Sequence, residues 1–265
     1  MTSPDAGLLG PGDPPPFQLV NPGGRARLVL IADHAGRAIP ARLGRLGLDE
    51  AALARHIAWD IGIENVTRDL AARLDAPAVI AGYSRLVIDC NRRLGDPTSI
   101  AQVSDEVEVP GNRGLGAADR QARADAIFAP YHAAIAALLD ARRAAGRPPV
   151  LLSMHSFTPV FGGFERPWHV GVLWDRDPRL PVPLLARLAA DPALCVGDNQ
   201  PYSGRDGHGF SIRHHGEGRG LPYALIELRQ DLIDTRAGAD QWAARLAAIL
   251  GELLADPAIF RPREA

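Results

Sequence analysis

The chain has 265 residues, 46% of them apolar and 23% charged, with a formal net charge of −2. That length holds one large α/β domain or two small ones, and the apolar share supports a sizeable core. The near-neutral balance gives no electrostatic reason to expect nucleic acid or a membrane surface as partner, and no apolar stretch approaches the roughly 20 residues that cross a bilayer.

Residues 1–24 are rich in Pro and Gly and read as a flexible arm, with 25–265 as a single domain. The arm lacks the basic start and apolar stretch of a signal peptide, so the cytoplasm is the expected compartment. Residues 26–32 (ARLVLIA) form a short continuous apolar run of the kind buried in a parallel sheet. His34 follows in DHAG, at a strand's C-terminal end, where open α/β sheets present their ligands; a histidine capping the next segment is the alternative. Helical periodicity over 49–74 places Asp60 and Glu64 one turn apart on one face, which also describes a solvated acidic face.

Residues 76–81 and 86–90 read as further strands, the second flanked by Arg85, Asn91 and Arg92 in YSRLVIDCNRR. Arginine binds carboxylates bidentately and stabilises an oxyanion in a dry site, while Asp89 offers Arg85 a buried ion pair instead. A fully extended chain would separate Arg85 from Arg92 by roughly 20 Å, so a shared site requires a bend near Asn91. A polar loop over 93–115 leads to a helix over 117–146, with Pro130 as the place for a kink.

The strand 149–154 feeds into His155, a second strand-end histidine. Zinc hydrolases use two imidazoles and a carboxylate and leave one position for water. A strand over 169–174 and a helix over 183–190 precede a second long polar loop, 198–220, whose His208, Arg213, His214 and His215 either contact a ligand or are solvated. Glu227 interrupts the apolar strand 223–228 (YALIEL). A buried carboxylate is costly unless it pairs, shifts its pKa or meets a metal, and Arg229 is the structural alternative as its partner. A helix over 239–255 closes the chain. Strands alternating with helices indicate an α/β fold, a mixed, mostly parallel sheet with helices on both faces. Cys90 and Cys195 lie in separate apolar runs and read as buried thiols. The absence of Lys beside many Ala, Gly and Pro looks like a high-GC bacterial coding bias and points to no function.

DHAG at 33–36, AWDIG at 58–62, YSRLVIDCNR at 83–92, PYH at 130–132, MHS at 154–156, DNQPYSG at 198–204 and IEL at 226–228, taken in order, resemble the N-formylglutamate amidohydrolase family. That family is similar to the zinc carboxypeptidases, so the resemblance implies a zinc-carboxypeptidase-like (phosphorylase/hydrolase-like) fold. It implies one divalent metal, zinc, on His34 and His155, with Glu227 as general base. It gives Arg85 the carbonyl-polarising role and Asn91 and Arg92 the substrate carboxylate. Carboxypeptidases carry a glutamate ligand three residues after the first histidine, where this chain has Arg37. The third ligand is therefore sought in Asp60, at the opening of the next helix, with Glu64 as the fallback. His208, Arg213 and His214 would contact the acyl group or a side-chain carboxylate. The implied substrate is a small anionic N-acyl amino acid, N-formyl-L-glutamate, cleaved to L-glutamate and formate. The rivals are a deacylase of the aspartoacylase or desuccinylase type and a metal-free binder of anionic amino-acid derivatives.

Overall fold

Apolar runs without a polar alternate must be covered on both sides, and the chain meets that demand with a seven-stranded sheet. The structure, a computed structural model, describes residues 7–206 and 209–261. The strands are β1 (Phe17–Val20), β2 (Leu28–Ala32), β3 (Ala78–Ala81), β4 (Val150–Phe157), β5 (Val170–Leu173), β6 (Val196–Asp198) and β7 (Tyr223–Arg229), in the spatial order β1-β3-β2-β4-β7-β5-β6. Strands β3, β2, β4 and β7 run parallel, β5 and β6 run together but against β7, and β1 runs against β3. The helices are α1 (Glu50–Leu53), α2 (Ile63–Leu74), α3 (Ala117–Arg123), α4 (Ala129–Ala144), α5 (Pro181–Ala189) and α6 (Arg236–Ala255). Among the described residues, none of the helices is long and apolar enough to cross a membrane.

Alternation along the strands divides the interior into two cores. Leu28, Leu30, Leu152, Met154, Ile226 and Leu228 share one core with α2, α5 and α6. Val29, Ile31, Leu151, Tyr223 and Leu225 share the other with Tyr131, Ile135 and Leu139 of α4 and with Leu86, Val87 and Ile88 of a long connection. Burying one such aliphatic or aromatic side chain contributes about 1.5–3 kcal/mol, so both layers hold the sheet.

Four local expectations are corrected. Part of the expected arm is ordered into the sheet: β1 pairs with β3, and the Pro-rich stretch, short of N–H donors, uses its carbonyls as acceptors. Pro14 O accepts from the Tyr83 hydroxyl at 2.6 Å and Pro16 O from Gly82 N at 2.9 Å. The helix expected over 49–74 is split, and Asp60 lies in the connection before α2 rather than at a helix opening. Gly62 enforces the break, since it adopts φ 80° and a Cβ there would stand 2.2 Å from Ile233 O. Residues 86–90 are not a strand. The segment turns back on itself through Val87 N to Ser84 O (2.9 Å) and Arg92 N to Asp89 O (3.2 Å). Finally, the helix expected over 117–146 passes through a π-helical turn at Ala124–Phe128, and Pro130 falls in the first turn of α4, where its missing N–H is tolerated.

Candidate active site

Because β2, β4 and β7 are parallel, their C-terminal ends reach one edge of the sheet together. The β4–β7 register sets Glu227 beside His155, and the β2–β4 register sets Ile31 beside Ser153, so Asp33 and His34 emerge next to His155. The loop before α2 closes onto this edge, where Asp60 N donates to His34 O at 2.8 Å.

His34, Asp60 and His155 are buried and offer one ligand atom each, all within 4.8 Å of one another. Asp60 Oδ2 lies 2.9 Å from His155 Nδ1 and 3.6 Å from His34 Nδ1. The opposite ring nitrogens are held by carboxylates: His34 Nε2 to Asp89 Oδ1 at 2.6 Å, and His155 Nε2 to Asp33 Oδ2 at 3.1 Å. If each Nε2–H donates to its carboxylate, each Nδ1 presents a lone pair to the shared point, the arrangement that orients metal-binding histidines. His34 Nδ1 is buried and makes no hydrogen bond. A tetrahedral ion with bonds of about 2.0–2.2 Å spaces its ligand atoms roughly 3.4 Å apart; the donor types and the two Asp60 separations fit a divalent cation, while the whole set is spread over up to 4.8 Å.

The electrostatics point the same way. Burial opposes a charge on His155, but its hydrogen bonds to the carboxylates of Asp33 and Asp60, and their charge, override it and lift its pKa to about 10. Burial likewise opposes ionisation of Asp60, yet His34, His155 and Arg85 hold its carboxyl well below the usual range. The cluster is built to keep positive charge at its centre.

Glu227 stands in the same cavity wall with one carboxylate oxygen buried and without a hydrogen bond. Arg229, its expected structural partner, binds Asp231 instead at 2.8 Å. Burial pushes the Glu227 carboxyl up to about 7, partly offset by the positive charge of His155. Arg85 pairs with Asp60 and Asp89, each at 3.2 Å. The turn at 84–92 brings Arg85, Asn91 and Arg92 to one cavity of about 380 Å³, which His34, Asp60, His155 and Glu227 also line. Asn91 Oδ1 accepts from Ser211 N at 3.0 Å, which fixes the amide and leaves its nitrogen without a partner among the described residues. Arg92 donates to Asn91 O at 3.2 Å and makes no ion pair among the described residues.

Three other expectations do not reach the site. Glu64 sits on the outer side of α2 and pairs with Arg68 at 2.8 Å, so the fallback ligand is overturned. Arg213 donates to Gly204 O at 2.9 Å, and His214 stacks on Phe210 at 5.2 Å; neither lines the cavity, because the π-helical turn Ile212–Gly216 commits them to the loop's own packing. His208 lies outside the described residues.

The sequence reading passed over Asp33 and left Asp89 as an ion-pair partner only. Asp33 accepts from Tyr131 Oη (3.1 Å), Ser153 Oγ (3.0 Å), His155 and Ser211, and thereby ties a candidate ligand to three segments. A signal existed: Asp33 continues the alternation of Val29 and Ile31 toward the cavity side and directly precedes His34.

Comparison with known proteins bears on this constellation. The family model for N-formylglutamate amidohydrolase matches residues 26–234. The crystal structure of a gene product from Agrobacterium tumefaciens is similar with 35% identity and a TM-score of 0.91, covering 94% of this chain and 98% of its own. The crystal structure of N-formylglutamate amidohydrolase from Ralstonia eutropha JMP134 shares 18% identity and a TM-score of 0.70, over 91% of this chain and 97% of its own, a likeness of fold. No curated protein matches the chain.

Proposed function

The chain belongs to the N-formylglutamate amidohydrolase family, and from that premise we propose that it is a metal-dependent hydrolase of small N-acyl amino acids, with N-formyl-L-glutamate as the reference substrate. The observation that carries this reading is the buried, unbonded Nδ1 of His34 beside Asp60 and His155, with the unpartnered carboxyl of Glu227 on the neighbouring strand.

His34, Asp60 and His155 would hold the ion, zinc by its preference for this ligand set. When bound, such an ion polarises a carbonyl and lowers the pKa of water. Glu227, with a pKa near neutrality, takes the proton of the attacking water and passes it to the amide nitrogen as the C–N bond breaks. Arg85 is held in place by Asp60 and Asp89, and its remaining N–H donors face the developing oxyanion. Asn91 and Arg92 receive the α-carboxylate, with the amide nitrogen of Asn91 and the unpaired guanidinium as donors.

Metal analysis and a substrate screen test the proposal together. About one zinc per chain is expected, with turnover of N-formyl-L-glutamate that a chelator abolishes and zinc restores. Faster cleavage of N-acetyl or N-succinyl amino acids would move the enzyme to the rival deacylases. Absence of both stoichiometric metal and turnover would leave only a binding protein.

A further inference from the structure

The cavity holds more than the chemistry above requires. Its apolar side is lined by Phe157, Phe161, Leu173, Tyr202 and Leu225. Phe161 comes from a short hairpin (Val160–Phe161 with Phe164–Glu165), and Val103 comes from another (Val103–Ser104 with Val107–Glu108). Both also line the cavity, yet they are 44% and 56% exposed. Exposed apolar side chains at a cavity edge are a mark of ligand contact.

The wall is braced from behind. The buried guanidinium of Arg166 lies 4.7 Å from the Phe161 ring, 4.9 Å from that of Tyr202 and 5.8 Å from that of Phe157. Cation–π contacts of this kind hold the rings in place without filling the space before them.

The charged groups of the cavity complement this apolar wall. Arg85 has its charge answered by Asp60 and Asp89, and in the proposed reaction its remaining N–H donors face the oxyanion. Of the arginines that line the cavity, Arg92 is the one without an ion pair among the described residues, so it answers one carboxylate of a ligand; Arg166, which makes none either, stands behind the rings and donates to Thr158 O at 3.4 Å. Elsewhere the wall presents Asp105 with His56 at 3.4 Å and Arg55 at 2.7 Å, a closed cluster that offers no uncommitted cation to a second ligand carboxylate.

We propose that this wall is a subsite for an apolar amino-acid side chain, so that N-formyl amino acids with aliphatic or aromatic side chains bind more tightly than N-formyl-L-glutamate. The inference rests on the amidohydrolase reading for its choice of group. A formyl group carries only hydrogen beyond its carbonyl, which leaves the amino-acid side chain as the part that reaches Phe161 and Val103.

Calorimetry on the zinc-loaded Glu227→Gln protein, which removes the base, measures Kd for N-formyl-L-leucine, N-formyl-L-phenylalanine and N-formyl-L-glutamate; kcat/KM is measured on the unsubstituted enzyme. The apolar ligands are expected to bind at least about tenfold more tightly than the glutamate derivative, the scale of methylene-level discrimination in an apolar pocket. Adding Phe161→Ser should shrink that ratio about fivefold or more, and adding Phe161→Arg should reverse it by supplying a second cation. Phe161 is exposed on a hairpin, so either change is compatible with folding. Equal or tighter binding of N-formyl-L-glutamate, or a ratio indifferent to both substitutions, overturns the subsite. If the binding order holds but no N-formyl amino acid is hydrolysed, the hydrolase reading falls and the subsite stands. If N-formyl-L-glutamate is turned over but the binding order is reversed, the subsite falls and the hydrolase stands. No binding of any of the three overturns both.

Discussion

On β4, Leu152 and Met154 belong to the core shared with α2, α5 and α6, whereas Ser153 and His155, one residue away, face the opposite layer and meet Asp33 and Asp60. On β7, Ile226 and Leu228 lie in the same core as Leu152, while Glu227 between them lines the cavity. One face is held by dispersion and apolar burial and has nothing to satisfy. The other gives up apolar burial at three neighbouring positions and must find a partner for nearly every polar atom it buries. His34 Nδ1 and Glu227 Oε2, both left without a hydrogen bond, are atoms the proposed reaction uses, whereas His56 Nε2 in the same cavity and His215 Nδ1 are also unsatisfied and take no part in it. The alternation of side chains thus separates the scaffold from the chemistry within single strands.

The division can be broken most decisively at Glu227. Glu227→Gln keeps the shape and removes the basicity, so kcat should fall by at least about 10²-fold, with metal content and Tm near those of the parent protein. A near-normal kcat with metal retained would return Glu227 to the scaffold. On the other face, Leu152→Ala should lower stability by about 2–5 kcal/mol in urea titration, with kcat per folded molecule unchanged. A kcat loss beyond the folded fraction would show that the faces are not separable.

Intermediate effects sharpen the picture. Asp33→Asn should weaken metal binding about 10–100-fold, the usual consequence of removing the carboxylate behind a ligating histidine, as read by competition with a chelator; unchanged affinity would make Asp33 purely structural. Arg92→Ala should raise KM for a substrate with a free α-carboxylate and leave its amide little affected, whereas Arg85→Ala should lower kcat for both. Equal losses on acid and amide from Arg92→Ala would remove it from carboxylate binding.

A last test of the division lies in the response to acid. Burial holds His215 down to about 3 from its ordinary 6.5, with His132, His214 and Arg219 adding to the depression. A histidine neutral in the fold and protonated when unfolded stabilises the fold above pH about 6.5, and that contribution is lost as pH falls toward 3. His215→Asn should flatten this stretch of the stability curve; an unaltered slope would place the acid sensitivity elsewhere.

The sequence made the apolar strands visible because their burial is written in consecutive residues; the strand ends pointed to His34 and His155, and the charge interrupting an apolar run pointed to Glu227. Asp60 was found, but its helix was misplaced, because the break depends on Gly62 meeting the carbonyl of Ile233 across the fold. Residues 86–90 looked like a strand for the same reason that they are not one. Their apolar side chains are buried, but the carbonyls are satisfied by side chains from afar: Asn112 donates to Leu86 O at 2.8 Å and Arg123 to Val87 O at 2.9 Å. No local pattern encodes such donors. Arg213 and His214 were misread because composition alone does not say which way a π-helical turn faces.

Asp89 carries a consequence for ligand energetics. Its Oδ1 receives His34 Nε2 and the backbone N–H of Asn91 (2.8 Å), while its Oδ2 receives Arg85. A single carboxylate therefore orients a metal-facing imidazole, an oxyanion-facing guanidinium and the start of the anion-binding turn. Ordering any one of these lowers the conformational entropy left for the others to lose. Cation and anionic ligand should accordingly bind with positive cooperativity, and thermodynamic reciprocity requires the factor by which the cation tightens the anion to equal the factor by which the anion tightens the cation.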